Sequence, residues 1–188
     1  AKGAAMMTET ELEIEFLGGC YNTMPNMYMA NMTYDIMKQI PIPQYTEEEL
    51  KFADELNKQS PQYESYKASG TLEKGSMHTE IKDLSPVNSY GSTDVGDVQH
   101  VCPCVQVRTA CWNMAAPGHS WQVTACSGMS IGHKGMVYGG EVMAAAAMEM
   151  YEHPEHVEKA KEEFDAKMSA HPYKCPIPME VPVPQPQK

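Results

Sequence analysis

The amino-acid sequence predicts an α/β fold, and two kinds of segment lead to that prediction. Residues 11–17 alternate polar and apolar side chains, which is typical of a half-buried strand. Residues 98–113 are rich in strand-forming side chains, with Pro103 as a bulge or edge feature. Residues 130–151 and 155–169 carry helical patterns instead. Strands and helices in one chain indicate an α/β architecture.

The N-terminal elements follow from local signals. Residues 2–7 end a helix that leads into the strand at 11–17. A helix is predicted from Asn26, which can act as its N-cap, with apolar side chains recurring at three- and four-residue spacing. The next helix starts with a capping box formed by Thr46 and Glu49.

Glycine, proline and polar residues dominate between residues 60 and 91 and predict a long loop region. A short strand is predicted at 121–126, followed by a helix from Ser130, its expected cap, to Tyr151. Glycine and alanine are so frequent in that helix that we expect it to approach its neighbours closely. Residues 171–188 contain too many prolines for a helix and should lie extended.

Composition narrows the possible functions. The chain has 188 residues, 42% of them hydrophobic, which is enough for one domain with a packed core. Its net charge of −11 argues against nucleic acid as a partner. No apolar stretch is long enough to span a membrane and no signal peptide is evident, which predicts a cytoplasmic protein. The six cysteines form no CxxC motif, so reduced free thiols are expected.

Candidate site residues lie in loops. Ser92, Asp94 and Asp97 occupy a small-residue loop that either shapes an active site or is held by local turns. Arg108, the single arginine, could bind a substrate carboxylate, with a surface ion pair as the alternative. His119 follows Pro117-Gly118 at a position typical of functional loops, although a lone turn histidine is usually structural.

Four motifs together resemble the C-terminal part of the M20 family of metal-dependent amidohydrolases, and most of all its aminobenzoyl-glutamate-hydrolysing branch. They are GCYNTMPN, GSTDVGDVQHVCP, APGHSWQ and SIGHKGM. The resemblance implies that residues 1–19 end a ferredoxin-like lid and dimerisation domain. It implies that residues 20–170 are the C-terminal segment of a three-layer αβα catalytic domain of the zinc-peptidase type, with residues 171–188 as a tail.

The resemblance also implies a site. His119 falls at a metal-binding histidine of a pair of divalent ions, zinc or manganese, whereas His133 matches no ligand position. Ser92, Asp94 and Asp97 fall in a substrate-binding loop, although Thr93 and Val95 depart from the family pattern there. The general base and the other ligands would lie in an N-terminal catalytic segment that the chain lacks.

The expected function is hydrolysis of an N-acyl or aminobenzoyl amino acid, of the aminobenzoyl-glutamate type, by a protein of which this chain is the C-terminal part. The chain alone should then be inactive, and the whole protein should form a homodimer through its lid. One alternative is a non-catalytic interaction subunit that completes a partner chain. Another is a metal or redox module that uses Cys102, Cys104 and Cys111.

Overall fold

The computed structural model describes residues 1–82 and 90–182, and within them every regular element is helical. A 3₁₀ turn at Thr71–Lys74 lies between the fourth and fifth helices. The α-helices are α1 (Lys2–Thr8), α2 (Met27–Met37), α3 (Glu47–Lys58), α4 (Tyr63–Ala68), α5 (Val95–Gln99), α6 (Trp121–Ser127), α7 (Ser130–Glu152) and α8 (Glu155–Ala170).

The predicted α/β fold, with a three-layer αβα segment and a ferredoxin-like lid end, is therefore wrong. Residues 11–17 and 105–111 form no strand in the described structure. Their backbone N–H groups donate no hydrogen bond to any residue in 1–82 or 90–182. A strand is defined by its ladder, so strand-forming side chains alone do not make one.

Two further strand predictions fail for local reasons. Residues 121–126 lie in α6, because the Ser120 hydroxyl accepts a hydrogen bond from the Val123 amide and caps a helix there. Gln122 and Cys126, four residues apart, are then both buried on one helical face. Part of the predicted strand at 98–113 is likewise helical, since α5 runs to Gln99.

The helix predictions are confirmed where capping signals are strong. Asn26 caps α2 by accepting the Met29 amide at 2.9 Å, and Thr46 and Glu49 form the predicted capping box of α3. The predicted loop at 60–91 instead contains α4 and the 3₁₀ turn, and its residues 83–89 lie outside the described structure. The tail has no helix from residue 172 to 182, and residues 183–188 lie outside the described structure.

The long helix α7 approaches its neighbours as closely as its glycines predicted. A Cβ on Gly135 would lie 2.3 Å from the Ala110 carbonyl oxygen, and one on Gly132 would lie 2.3 Å from the Ser127 carbonyl oxygen. Any side chain at either position would push backbone away, so glycine is required there. Ile131 from α7 joins the buried core, which also contains Ala53, Leu56, Met77 and Cys126.

A buried carboxylate joins α3 to α7. Glu49 is 6% exposed and accepts hydrogen bonds from Lys134 Nζ at 2.6 Å, from the Ser130 hydroxyl at 2.5 Å and from the Thr46 amide at 2.7 Å. Ser130 was expected to cap α7, but Met129 is the N-cap residue and Ser130 bonds Glu49 instead. Burial alone would raise the pKa of Glu49, but the bonds from Lys134, Ser130 and Thr46 outweigh it and lower the pKa below the ordinary 4.5.

None of the described helices is both long and apolar enough to cross a bilayer.

We predict that Glu49→Gln lowers the free energy of unfolding by about 2–4 kcal/mol at neutral pH, because Lys134 loses its buried partner. Glu55→Gln, on the exposed face of the same helix, should change it by less than about 0.5 kcal/mol. Urea denaturation of both variants measures the difference.

The difference in the free energy of unfolding between wild type and Glu49→Gln should depend on pH. The lowered folded pKa of Glu49 contributes stability that is fully present above the unfolded value of 4.5 and is lost as the pH falls through the folded value. The gap between wild type and Glu49→Gln should therefore narrow below pH 4.5. A gap that stays constant down to the acid transition would show that the Glu49 charge does not stabilise the fold.

Candidate functional site

The loop that carries His119 is anchored by a buried amide. Asn57, at the end of α3, is 0% exposed, and its side-chain oxygen accepts hydrogen bonds from Asn113 Nδ2 and from the Ala115 amide, each at 2.8 Å. Its Nδ2 donates to the Ser76 carbonyl at 3.1 Å. One side chain thus holds two separate chain segments in place, and it fixes the start of the loop that leads to His119.

Other bonds complete that anchor. The Met114 amide donates to the Ser76 carbonyl at 2.9 Å, and the Ser60 hydroxyl donates to the Ala115 carbonyl. Gln122, just beyond the loop and 2% exposed, donates to the Gln59 carbonyl at 3.3 Å. Both ends of the segment between residues 114 and 122 are therefore tied to the end of α3 and the residues that follow it.

His119 is presented outward from this anchored loop. Its side chain is exposed, and its backbone lies in the left-handed region with φ of 60°. A non-glycine residue there carries a conformational cost of about 1–2 kcal/mol. Ser120, the next residue, caps α6, so the histidine lies directly before a helix N-terminus.

His119 belongs to no group of three metal-binding side chains in the described structure. Within residues 1–82 and 90–182, no three His, Cys, Asp or Glu side chains are grouped so that they could hold a metal ion. A zinc ion needs at least three protein ligands, so the described residues alone do not fit the expected pair of metal ions. His133 is exposed in the first turn of α7.

The predicted substrate-binding residues of the 92–97 loop differ in whether the chain itself uses their side chains. Asp97 is used within the chain: its two oxygens accept hydrogen bonds from the Tyr21 amide at 3.1 Å and from the Tyr173 hydroxyl at 2.9 Å. The bond to Asp97 raises the pKa of Tyr173. Ser92 and Asp94 are exposed, and Asp94 precedes α5 without a side-chain capping bond. Neither of the two groups that bond Asp97 belongs to the loop that carries His119.

Arg108 is exposed on the segment that α7 covers, and it lines a cavity of about 610 Å³. The lining of that cavity also includes residues of α2, residues 42, 43 and 45, and residues 78–82. The guanidinium is therefore accessible to a ligand in this groove. The lining of the groove includes no residue of the loop that carries His119.

The three cysteines of the alternative metal or redox module do not form a cluster. Cys102 is exposed, Cys104 and Cys111 are half-buried, and none belongs to a metal-binding group in the described residues. Burial raises the pKa of the Cys104 thiol, which disfavours the thiolate that a metal or redox reaction needs. All six cysteines are unpaired, so no disulfide joins them.

Sequence reasoning missed a histidine that three helices share. The Tyr28 hydroxyl on α2 lies 2.6 Å from His156 Nδ1 on α8, and His156 Nε2 lies 3.3 Å from Glu149 Oε1 on α7. These side chains border a second cavity, of about 550 Å³. No spacing in the sequence signals this contact, because Tyr28 and His156 are 128 residues apart.

The whole chain is similar to a p-aminobenzoyl-glutamate hydrolase subunit from Escherichia coli (strain K12), with 31% identity over 206 residues. The chain spans 42% of the length of that protein. No family model matches the sequence, and no solved structure matches it significantly. The similarity supports the expected hydrolase relationship, whereas membership of the M20 family stays a prediction.

We predict that Asn57→Ala lowers the free energy of unfolding by about 2–4 kcal/mol, because Asn113, the Ala115 amide and the Ser76 carbonyl each lose a buried partner. Asn31→Ala is the matched control, since the Asn31 amide bonds the Met27 carbonyl on an exposed helix face. Equal melting of the two variants would contradict the anchoring role of Asn57.

The positive φ of His119 predicts that glycine and alanine rank in opposite order of stability at His119 and at His133. His119→Gly should be more stable than His119→Ala by about 0.5–1 kcal/mol, because glycine adopts a positive φ without strain. At His133, inside α7, glycine should instead be less stable than alanine by a similar amount. Thermal melting of the four variants tests the reversal, and the same order at both positions would exclude strain at His119.

Proposed function

We propose that this chain is the C-terminal part of a metal-dependent amidohydrolase that cleaves the amide bond of an aminobenzoyl-glutamate-type substrate. The observation that carries the proposal is the similarity of the whole chain, at 31% identity, to the p-aminobenzoyl-glutamate hydrolase subunit of E. coli. Because the chain spans 42% of that protein, the remaining length is the natural source of further site residues.

The geometry of His119 supports the proposal. An exposed imidazole on an anchored loop, held at a costly backbone angle, suits a ligand that must meet other groups at a fixed position. The described residues do not complete a group of three ligands around it. In this proposal His119 gives one ligand of a metal pair, zinc or manganese, and residues outside this chain give the others and the general base. The metal pair would activate water for attack on the amide carbonyl.

The substrate side of the proposal rests on Arg108. A glutamate-bearing substrate carries carboxylates, and Arg108 is the single guanidinium in the chain able to bind one in a bidentate manner. Ser92 and Asp94 are exposed and remain candidates for substrate contact. Asp97 is better assigned to positioning, because both of its oxygens already accept hydrogen bonds from Tyr21 and Tyr173.

The alternative is a non-catalytic subunit that completes a partner chain. The name of the E. coli relative describes a subunit, which supports a multi-chain assembly for that protein. The two proposals differ in one respect: a catalytic segment must contribute His119 to the reaction, whereas an interaction subunit need not.

The proposed function predicts that the 188-residue chain alone does not hydrolyse p-aminobenzoyl-glutamate, because one histidine cannot hold the metal pair. In a chimera, the matching part of the E. coli relative is replaced by this chain, and hydrolysis with bound zinc should be present. His119→Ala in that chimera should reduce the rate at least about 100-fold and reduce the metal content.

His133→Ala is the control, because it changes an exposed histidine fourteen positions away, and it should leave rate and metal content unchanged. Gel filtration and circular dichroism establish that each chimera is folded. A folded His119→Ala chimera with full activity and unchanged zinc would exclude the catalytic role and favour the interaction subunit.

A further inference from the structure

The segment that follows α8 packs against the segment that precedes α2. A Cβ on Gly19 would lie 3.3 Å from the Cβ of Pro176, and the ring centroids of Tyr21 and Tyr173 lie 5.1 Å apart in an edge-to-face contact. Residue 19 is thus opposite residue 176, and residue 21 is opposite residue 173. The order of these contacts means that the two segments run antiparallel.

Asp97 on α5 holds both segments in place. One of its carboxylate oxygens accepts the Tyr21 amide at 3.1 Å, and the other accepts the Tyr173 hydroxyl at 2.9 Å. The ring of His100, a residue that is 8% exposed, lies 4.7 Å from the ring of Tyr21 and 5.9 Å from the ring of Tyr173. Charge-assisted hydrogen bonds and ring contacts therefore give the two segments a defined arrangement.

Each of the two segments contains one cysteine. Cys20 lies between Gly19 and Tyr21, and Cys175 lies between Tyr173 and Pro176, so the two contacts bracket the cysteine pair. Both cysteines are exposed, and both are free thiols in the described structure. A disulfide spans Cα atoms about 4.4–6.8 Å apart, a separation typical of residues on neighbouring antiparallel segments.

A second set of contacts also brings the two cysteines together. The Tyr21 amide, which is joined directly to the Cys20 carbonyl carbon, bonds the carboxylate of Asp97. The Tyr173 hydroxyl bonds that same carboxylate, and the Cys175 side chain lies within hydrogen-bond reach of this hydroxyl. Cys20 and Cys175 therefore approach Asp97 from the two sides of the contact.

The other cysteines are placed differently. Cys126 is buried, and Cys104 and Cys111 are half-buried. Cys102 is exposed, but its thiol bonds the Val98 carbonyl of its own turn at 3.7 Å. Exposure together with contacts between the flanking residues distinguishes the pair at positions 20 and 175. Cys102 is the natural control, because it is equally accessible to a reagent.

We propose that Cys20 and Cys175 form a reversible disulfide when the chain meets a peroxide, and that this bond locks residues 171–176 onto residues 19–21. The thiolate of one cysteine attacks the peroxide O–O bond and becomes a sulfenic acid, and the sulfur of the other cysteine then displaces its hydroxyl group. With hydrogen peroxide, two thiols and one peroxide give one disulfide and two water molecules. A small thiol restores both cysteines by exchange. This proposal does not depend on the proposed function.

Oxidation of the full 188-residue chain with hydrogen peroxide, followed by thiol titration and mass spectrometry of an unreduced tryptic digest, tests the pair. The six thiols should fall to four, and the digest should join residues 3–38 to residues 175–188, whose cysteines are Cys20 and Cys175. The melting temperature should rise by about 5–10 °C, because the bond closes a long loop in the unfolded chain. A small thiol should reverse both changes.

Cysteine variants separate this disulfide from other oxidation. Cys20→Ser and Cys175→Ser should each abolish the joined peptides and the rise in melting temperature, whereas Cys102→Ser should leave both unchanged. Unfolding the chain in urea before oxidation should lower the yield of the joined peptides at least about tenfold, since the pairing depends on the folded contact.

Four results would overturn the proposal. They are six titratable thiols after oxidation, a crosslink from either cysteine to a different one, a disulfide-linked dimer, and joined peptides that form equally well in urea. An oxidised chain that melts at the same temperature as the reduced chain would show that the bond does not lock residues 171–176, and it would overturn that part of the proposal.

Discussion

The buried side-chain amide of Asn57 is the interaction on which the rest of the candidate site depends. It joins the end of α3 to Ser76 and to Ala115, two segments far apart in the chain, through three hydrogen bonds. Without it, the loop before α6 would lose its fixed start, and His119 would lose a defined position. A buried amide is costly unless every group is paired, and that requirement ensures that the loop has a single arrangement.

The elements that could be predicted from sequence are those whose signals are local. Asn26 and the Thr46–Glu49 capping box sit beside the amides that they bond, so their sequence positions suffice. Strands depend on a partner elsewhere in the chain. Residues 11–17 and 105–111 have the correct side-chain alternation, but their backbone N–H groups donate to no described residue and form no ladder, and the prediction failed for that reason.

Of the candidate site, only the part with a local signal could be predicted from the sequence. His119 stands out by its turn context, and the structure places it at an exposed, strained position. Neither the anchoring role of Asn57 nor the buried contact of Glu49 with Lys134 could be identified, because their partners lie 19 to 85 residues away in the chain. Asp97 illustrates the opposite error: its sequence context suggests an active-site loop, whereas its oxygens bond Tyr21 and Tyr173.

His119, residues 11–17 and residues 105–111 are three places where the described structure retains an unfavourable arrangement. Each costs free energy: His119 through its backbone angle, residues 105–111 through backbone N–H groups that donate to no described residue, and residues 11–17 through exposed apolar surface. Folding within one chain removes such costs wherever its own residues can reach. The buried amides of Asn57 and Asn113 hold the start of the loop that carries His119 in a fixed arrangement.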